Sequence, residues 1–436
     1  MKILGIETSC DETAVCVVLA SGNIEKPVFK LLGNGLYSQV KTHAEYGGVF
    51  PALAKREHAK NLVPLLKKAL EEASKAGAGV RAEYTGKAEV AILAEHASNP
   101  AGFAAPLGAD APVRVSARTA TSALPEDIKT LLSREPGLFE VLQEFLSTTK
   151  KPDIDFISVT SGPGLEPALW VGINFALALG KIWNIPVYPT NHMAGHILSV
   201  LYHPLPPPNL GGGEGGGAVE ELKSFKFPAL ALLVSGGHTE LVLVKNWMDY
   251  EIIGGTRDDA VGEAFDKVAR LLGLPYPGGP EISKLAKIAR ERGIISEYKL
   301  PRPMISSDDF DFSFSGIKTS VLYTLKKIPE ITENIKLQIA REFEDAVVEV
   351  LIFKTRKALV RYGAVTLVAG GGVISNTYLR SELKKMIRDF PDTALLIPDF
   401  DLSTDNAVMI AVASYFNYLS GAKPATEITA EGNLSL

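Results

Sequence analysis

KILGIETSCDETAVCVVL at residues 2–19 and LALLVSGGHTELVLVK at residues 230–245 decide the fold. Each is an apolar run, a short turn of small and polar residues, and a second apolar run. That pattern predicts a strand over 2–7, a turn over 8–13 and a return strand over 14–19. The second unit predicts strands over 230–234 and 240–245, joined by Ser235-Gly236-Gly237-His238-Thr239. The echo of one unit in the other predicts a duplicated fold whose polar turns face one another.

Working outward, residues 57–73 carry helical periodicity in Leu62, Leu65, Leu66, Ala69 and Leu70. A buried strand over 155–161 ends in Gly162-Pro163-Gly164, and an apolar helix over 168–183 leads to a strand around Val187. Helices are expected over 262–272 and 334–362. A strand over 365–369 then runs into Gly370-Gly371-Gly372, and a last helix covers 406–419. Strands alternating with helices make the class α/β. The expected halves are 1–227 and 228–436, with the last helix packing back on the first half. Two stretches look like additions. Residues 74–150 are rich in Ala, Gly, Ser and Thr, and only 131–146 has a clear helical pattern. Residues 204–218 combine Pro206-Pro207-Pro208 with a run of glycines, the composition of a surface loop.

Composition bounds the function. The chain has 436 residues, 46% hydrophobic and 22% charged, the balance of a globular protein with more than one domain. It has no apolar stretch of about 18–20 residues to span a bilayer. Glu7 interrupts the position where a signal peptide needs its apolar core, so a cytoplasmic location and no membrane are expected. Two cysteines, Cys10 and Cys16, exclude a disulfide framework and a Cys-rich zinc site. With a net charge of -5, RNA would need a local basic surface.

Five constellations carry chemistry. In His192-Met193-Ala194-Gly195-His196, positions i and i+4 share a helix face, so both imidazoles can reach one metal ion. Asn191 is a plausible cap for that helix. Met193 stands where an HExxH peptidase has its glutamate. Ser403-Thr404-Asp405-Asn406 precedes an apolar helix. Its plainer reading is N-capping; its chemical one is a carboxylate completing a two-histidine site that suits Fe(II) or Zn(II). The Ser235-Gly236-Gly237 turn permits close backbone approach to a phosphate or acyl group, although such turns are mostly simple hairpins. Asp11 and Glu12 in the opposite turn are acceptors for a hydroxyl, a cation or a proton. Asp266 falls about two turns beyond Asp259, where a carboxylate can take ribose hydroxyls. The triple glycine before Asn376 is a backbone-approach site for a nucleotide.

Taken together, the strings GIETSCDETAV (5–15), HAEYGGVFPALAKREH (43–58), SGPGL (161–165), NHMAGH (191–196), LVSGGHTEL (233–241), DDAVGEAFDKVARLLGLPYPGGP (258–280), FSFSGIKT (312–319), AGGGVISN (369–376) and STDNAVMIA (403–411) closely resemble the bacterial TsaD family. These are the tRNA N6-adenosine threonylcarbamoyltransferases, once described as O-sialoglycoprotein endopeptidases. The resemblance implies an actin-like fold of the sugar-kinase and Hsp70 class, built from two RNase H-like halves. It implies one divalent metal ion per chain, Fe2+ before Zn2+, held by His192, His196 and Asp405. It implies a threonylcarbamoyl-AMP pocket made by Leu233, Val234, Ser235, Gly236, Gly237, Asp266, Gly279 and Asn376. Asp11 and Glu12 become the catalytic candidates, with Glu12, Lys55 and Arg56 ranked behind Asp11. The implied reaction forms t6A at adenosine 37 of tRNAs reading codons that begin with A, with TsaB-like and TsaE-like protein partners. A metallopeptidase, and an actin-like ATPase or scaffold of a modification complex, are the alternative readings.

Overall fold

The computed structural model describes residues 1–83, 124–202 and 225–436, with the side chains of 77–83 outside that description. The 204–218 loop and residues 84–123 of the weakly periodic stretch lie outside the described residues. The first half contains β1 (Lys2–Glu7), β2 (Glu12–Gly22), β3 (Pro27–Ser38), α1 (Val40–Ala44), α2 (Pro51–Glu83), α3 (Glu126–Leu131), α4 (Leu138–Thr148), β4 (Phe156–Gly162), α5 (Glu166–Trp183), β5 (Val187–Asn191) and α6 (His192–Leu198). The second contains β6 (Ala229–Val234), β7 (Thr239–Asn246), β8 (Asp249–Gly255), α7 (Val261–Leu271), α8 (Gly278–Glu291), α9 (Ser315–Lys326) and α10 (Glu333–Tyr362). It continues with β9 (Thr366–Gly370), α11 (Thr377–Met386), β10 (Ala394–Leu396), α12 (Phe400–Ser403) and α13 (Ala407–Leu419).

Among the described residues, two five-stranded sheets share one topology, β3-β2-β1-β4-β5 and β8-β7-β6-β9-β10. In each, a three-strand antiparallel meander is followed by two strands parallel to the first. The duplication expected from the two turns is therefore present strand for strand, as in the actin-like class. The central strand β6, ALALLV, is buried at every position because strands flank it and both its faces are covered.

Three apolar cores explain where a site can form. α2, α3, α4 and α5 cover the outer face of the first sheet, and α7 to α11 cover that of the second. The third core lies between the sheets, where α6 and α13 meet residues of both, such as Ile3, Val18, Ala231 and Val368. α13 is apolar all round, and its residues 407–416 are all buried, as a helix sandwiched between layers must be. Its approach to β1 needs Gly5, since a Cβ there would stand 2.6 Å from the Ala407 carbonyl. The last helix thus packs on the first sheet.

The helix expected over 131–146 forms only from Leu138: α3 ends at Leu131, and residues 132–137 turn through Pro136-Gly137 before α4. Gly137 is left-handed, with φ +83°, and starts α4. Leu138, Leu142 and Phe145 then enter the outer core. The helix expected from 57 starts earlier, at Pro51, where a proline suits a first turn.

Candidate metal and transfer site

The motifs collect at the C-terminal ends of the parallel strands. Glu7 closes β1, Gly162 closes β4, His192 follows β5, Ser235 follows β6 and Gly371 follows β9. This is the edge where open α/β sheets bind ligands.

α6 starts where it does because Asn191 caps it, Oδ1 accepting from the N–H of Met193 (2.8 Å) and Ala194 (3.2 Å). His192 and His196 then sit one turn apart with rings edge-on, 4.7 Å between centroids. Asp405 arrives from between α12 and α13, its Oδ1 3.3 Å from His192 Nε2 and 3.2 Å from His196 Nε2. The three ligand atoms lie within 4.8 Å of one another. His196 is 1% exposed, yet among the described residues neither ring nitrogen has an aligned hydrogen-bond partner. A buried lone pair left that way is costly unless another acceptor of electrons takes it. Ligands held 2.0–2.2 Å from one ion stand about 3–3.5 Å apart, which matches the histidine–aspartate spacings. The set fits a divalent cation. Met193, at the position of a peptidase's glutamate, is a core residue 2% exposed.

Glu7 was not singled out in the sequence, and it is fully buried beside this centre. Its Oε2 lies 3.2 Å from His192 Nδ1 and accepts from Thr160 Oγ1 at 2.5 Å; Oε1 accepts from the Ser9 N–H at 2.5 Å. A carboxylate on the far nitrogen fixes the tautomer and leaves Nε2 to face a metal. The available signal was an acid closing an otherwise apolar strand. Burial opposes charge on His192, but Asp405 and Glu7 on its two sides hold its pKa well above the imidazole range. Burial also opposes ionising Asp405 and Glu7, and His192 keeps both below the carboxylate range. Burial pushes His196 down. The buried Glu7 and the partly buried Asp405 thus flank one imidazole, an excess of negative charge that a cation satisfies. Glu7→Gln is expected to weaken metal affinity by about 10–100-fold, read by competition against a chelator. Unchanged affinity would make the Glu7–His192 contact idle.

Asp11 and Glu12 follow β1 beside this centre. Burial raises the Glu12 pKa, with Asp11 and Asp405 adding to it, to about 10. Its Oε1 accepts from Ser38 Oγ at 3.2 Å. Behind the turn, His58 contacts the Cys10 carbonyl (3.0 Å) through Nε2 and Thr13 Oγ1 (2.8 Å) through Nδ1. Lys55 instead pairs with the buried Glu135 at 3.2 Å, which ties α2 to the segment before α4; Arg56 is exposed.

Across the cleft, Leu233 and Val234 bury their side chains completely, so only their backbone can face a ligand. Ser235 and His238 close the next turn, His238 N–H donating to Ser235 Oγ (3.0 Å) and Ser235 N–H to the His238 carbonyl (2.8 Å). Gly236 and Gly237 border open space. Burial, then the charges of His192 and His196, lower the His238 pKa to about 4, which puts this turn beside the metal centre. Asp266 caps α8, Oδ1 accepting from Gly278 N–H at 2.7 Å, with a further bond from Gly279. Burial raises its pKa against the opposing Gly278 and Gly279 N–H bonds, and the Asp11 carboxylate adds to the rise. Tyr276 lies among Asp11, Asp266, Cys10 and Glu12. Asp259 lies before α7 rather than on it and pairs with Lys267 at 2.8 Å, so it does not share the helix face of Asp266. Asn376 caps α11, accepting from Leu379 N–H (2.9 Å) and donating to Ser283 Oγ (2.9 Å) and Glu344 Oε1 (2.8 Å).

Fold and cleft together define a two-lobed actin-like α/β protein with a candidate metal centre between its sheets. The family model for TsaD, tRNA N6-adenosine threonylcarbamoyltransferase, matches residues 30–80, 136–211 and 216–412. Curated relatives with that description, from Thermosipho africanus and Buchnera aphidicola subsp. Schizaphis graminum, are each 36% identical, cover all of this chain, and are covered over 100% and 98% of their own length. The chain belongs to the TsaD family, and its activity is threonylcarbamoyl transfer in tRNA t6A formation. Among solved structures, full-length HypF is 13% identical with TM-score 0.44 over 66% of this chain and 42% of its own. Component A of the Acidaminococcus fermentans (R)-2-hydroxyglutaryl-CoA dehydratase is 11% identical with TM-score 0.41 over 96% and 99%.

Proposed function

We propose that the donor is threonylcarbamoyl-AMP, bound between the 233–237 segment on one wall and Asp266, Gly279 and Asn376 on the other. The observation that carries this is the convergence of His192, His196 and Asp405 beside an open Gly236-Gly237 turn. Asp266 and Asn376 keep oxygen lone pairs beyond their capping bonds for ribose hydroxyls. A divalent cation on the triad, Fe2+ before Zn2+ and one per chain, would supply Lewis-acid polarisation of the threonylcarbamoyl group.

Adenosine N6 attacks the carbamoyl carbon, the new C–N bond forms, and the bond from that carbon to the phosphate oxygen breaks, releasing AMP. The amine proton passes to Asp11, and the amides of Ser235, Gly236 and Gly237 hold negative charge developing on oxygen. Glu12, whose pKa burial and the neighbouring Asp11 carboxylate raise, serves as a hydrogen-bonding partner rather than the base. TsaB-like and TsaE-like proteins are the partners, the setting is the cytoplasm, and the lobes divide near 227 and 228. Among the described residues no helix is long and apolar enough to cross a membrane.

The test combines the protein, those partners, threonylcarbamoyl-AMP and an unmodified tRNA reading codons that begin with A, with mass spectrometry of the nucleosides. Wild type is expected to yield t6A. Asp11→Asn should lower kcat by about 10²–10⁴ with donor binding kept; a near wild-type rate removes Asp11 as the base.

A further inference from the structure

The loop between α1 and α2 displays two aromatic rings that the chemistry above does not use. Tyr46 is 64% exposed and Phe50 54%, and their rings stack with centroids 6.1 Å apart and planes 24° from parallel. Exposed aromatic surface on a loose loop would be unremarkable, but this loop is fixed. Tyr46 N–H and Gly48 N–H donate to the carbonyl of the fully buried His43 at 3.0 and 3.3 Å, and Phe50 N–H donates to its Nδ1 at 3.3 Å. From the other lobe, Arg270 Nη2 donates to the Gly47 carbonyl at 2.5 Å.

The loop also continues directly from the cleft. Gln39 N–H, just before α1, donates to the Asp11 carbonyl at 2.9 Å, and His43 lies within the field of the Asp11 carboxylate. Lys41 on α1 and Arg56 on α2, before and after the pair in the chain, are exposed, and among the described residues neither has an ion-pair partner. Rigid aromatic surface flanked along the chain by unpaired cations, at the mouth of a site that must receive one nucleotide of a longer strand, is the chemistry that takes unstacked RNA bases.

We propose that Tyr46 and Phe50 form a stacking platform for an unpaired base neighbouring the target adenosine, with Lys41 and Arg56 meeting the adjoining phosphates. This rests on the tRNA-transfer reading of the site and names a surface that positions its RNA.

The test compares wild type, the Tyr46→Ala/Phe50→Ala double variant and Tyr46→Phe. Binding of a fluorescent unmodified anticodon stem-loop is followed by anisotropy, with transfer, threonylcarbamoyl-AMP affinity and partner co-elution measured alongside. The double variant should bind RNA about 10–100-fold more weakly, the range for losing one or two stacked bases. Its kcat at saturating tRNA should stay within about twofold by the same reasoning, since neither ring reaches the reacting atoms. Donor affinity should be unchanged, and Tyr46→Phe should keep wild-type binding. RNA affinity unaltered in the double variant overturns the platform even if transfer proceeds. Lost co-elution with a protein partner at unaltered RNA affinity overturns it too and assigns the face to that protein. Wild type that binds the stem-loop but forms no t6A overturns the transfer reading instead, leaving the binding comparison to decide the platform.

Discussion

Alanine at position 196 is expected to lower threonylcarbamoyl transfer by about a thousandfold, the rate equivalent of about 4 kcal/mol of barrier, while the chain stays folded. Position 196 is a cleaner test than 192. His192 also contacts Glu7 and Ser9, at 3.2 Å each, so removing it strands a buried carboxylate and confuses folding with chemistry. Among the described residues the ring nitrogens of His196 have no other aligned partner, so their loss falls on the metal centre. The cavity itself costs a few kcal/mol of stability, which a melting curve measures separately. Metal content should drop together with transfer, and donor-independent fold markers should remain. A variant that keeps both its metal and its rate would remove His196 from the centre, and with it the reading of the cleft as metal-assisted.

The parts of this structure that sequence made legible are local or repeated. The two strand–turn–strand units at 2–19 and 230–245 announced both sheets, since period and turn chemistry lie within one stretch of chain. The HMAGH spacing placed two imidazoles on one helix face for the same reason. What escaped notice depends on distance in the chain. Glu7 meets Thr160 and His192, 153 and 185 residues away, and nothing near it in sequence marks it as more than a strand end. Asp259 looked like a partner of Asp266 only on the assumption that the helix began before it; Ala260 is extended and α7 begins at Val261. Asp258 is occupied similarly, accepting from Ser313 and Ser315 hydroxyls at 2.6 Å each, so part of that acidic run holds the 312–319 segment rather than a ligand.

Asn376 extends the same point into a prediction, because its amide is held by a buried ionic network. Arg290 on α8 donates through Nη1 to Glu344 Oε2 at 2.5 Å, pairs with Asp345, and stacks 3.5 Å over the Tyr378 ring. Glu344 is 1% exposed, and its other oxygen accepts from Asn376 Nδ2. Arg290→Leu leaves that carboxylate buried with one neutral donor, and the expected loss is roughly 3–5 kcal/mol of folding stability. Because α8 also supplies Gly279 and is capped by Asp266, the same variant should raise the KM for threonylcarbamoyl-AMP. Adding Glu344→Leu removes the stranded charge and should recover a substantial share of the stability, while donor affinity stays low because Asn376 has lost its anchor. Chemical denaturation of the single and double variants separates the two effects. A single variant less than about 1 kcal/mol below wild type, the scale of an exposed pair, would mean that this network neither carries the second lobe's stability nor sets the position of Asn376.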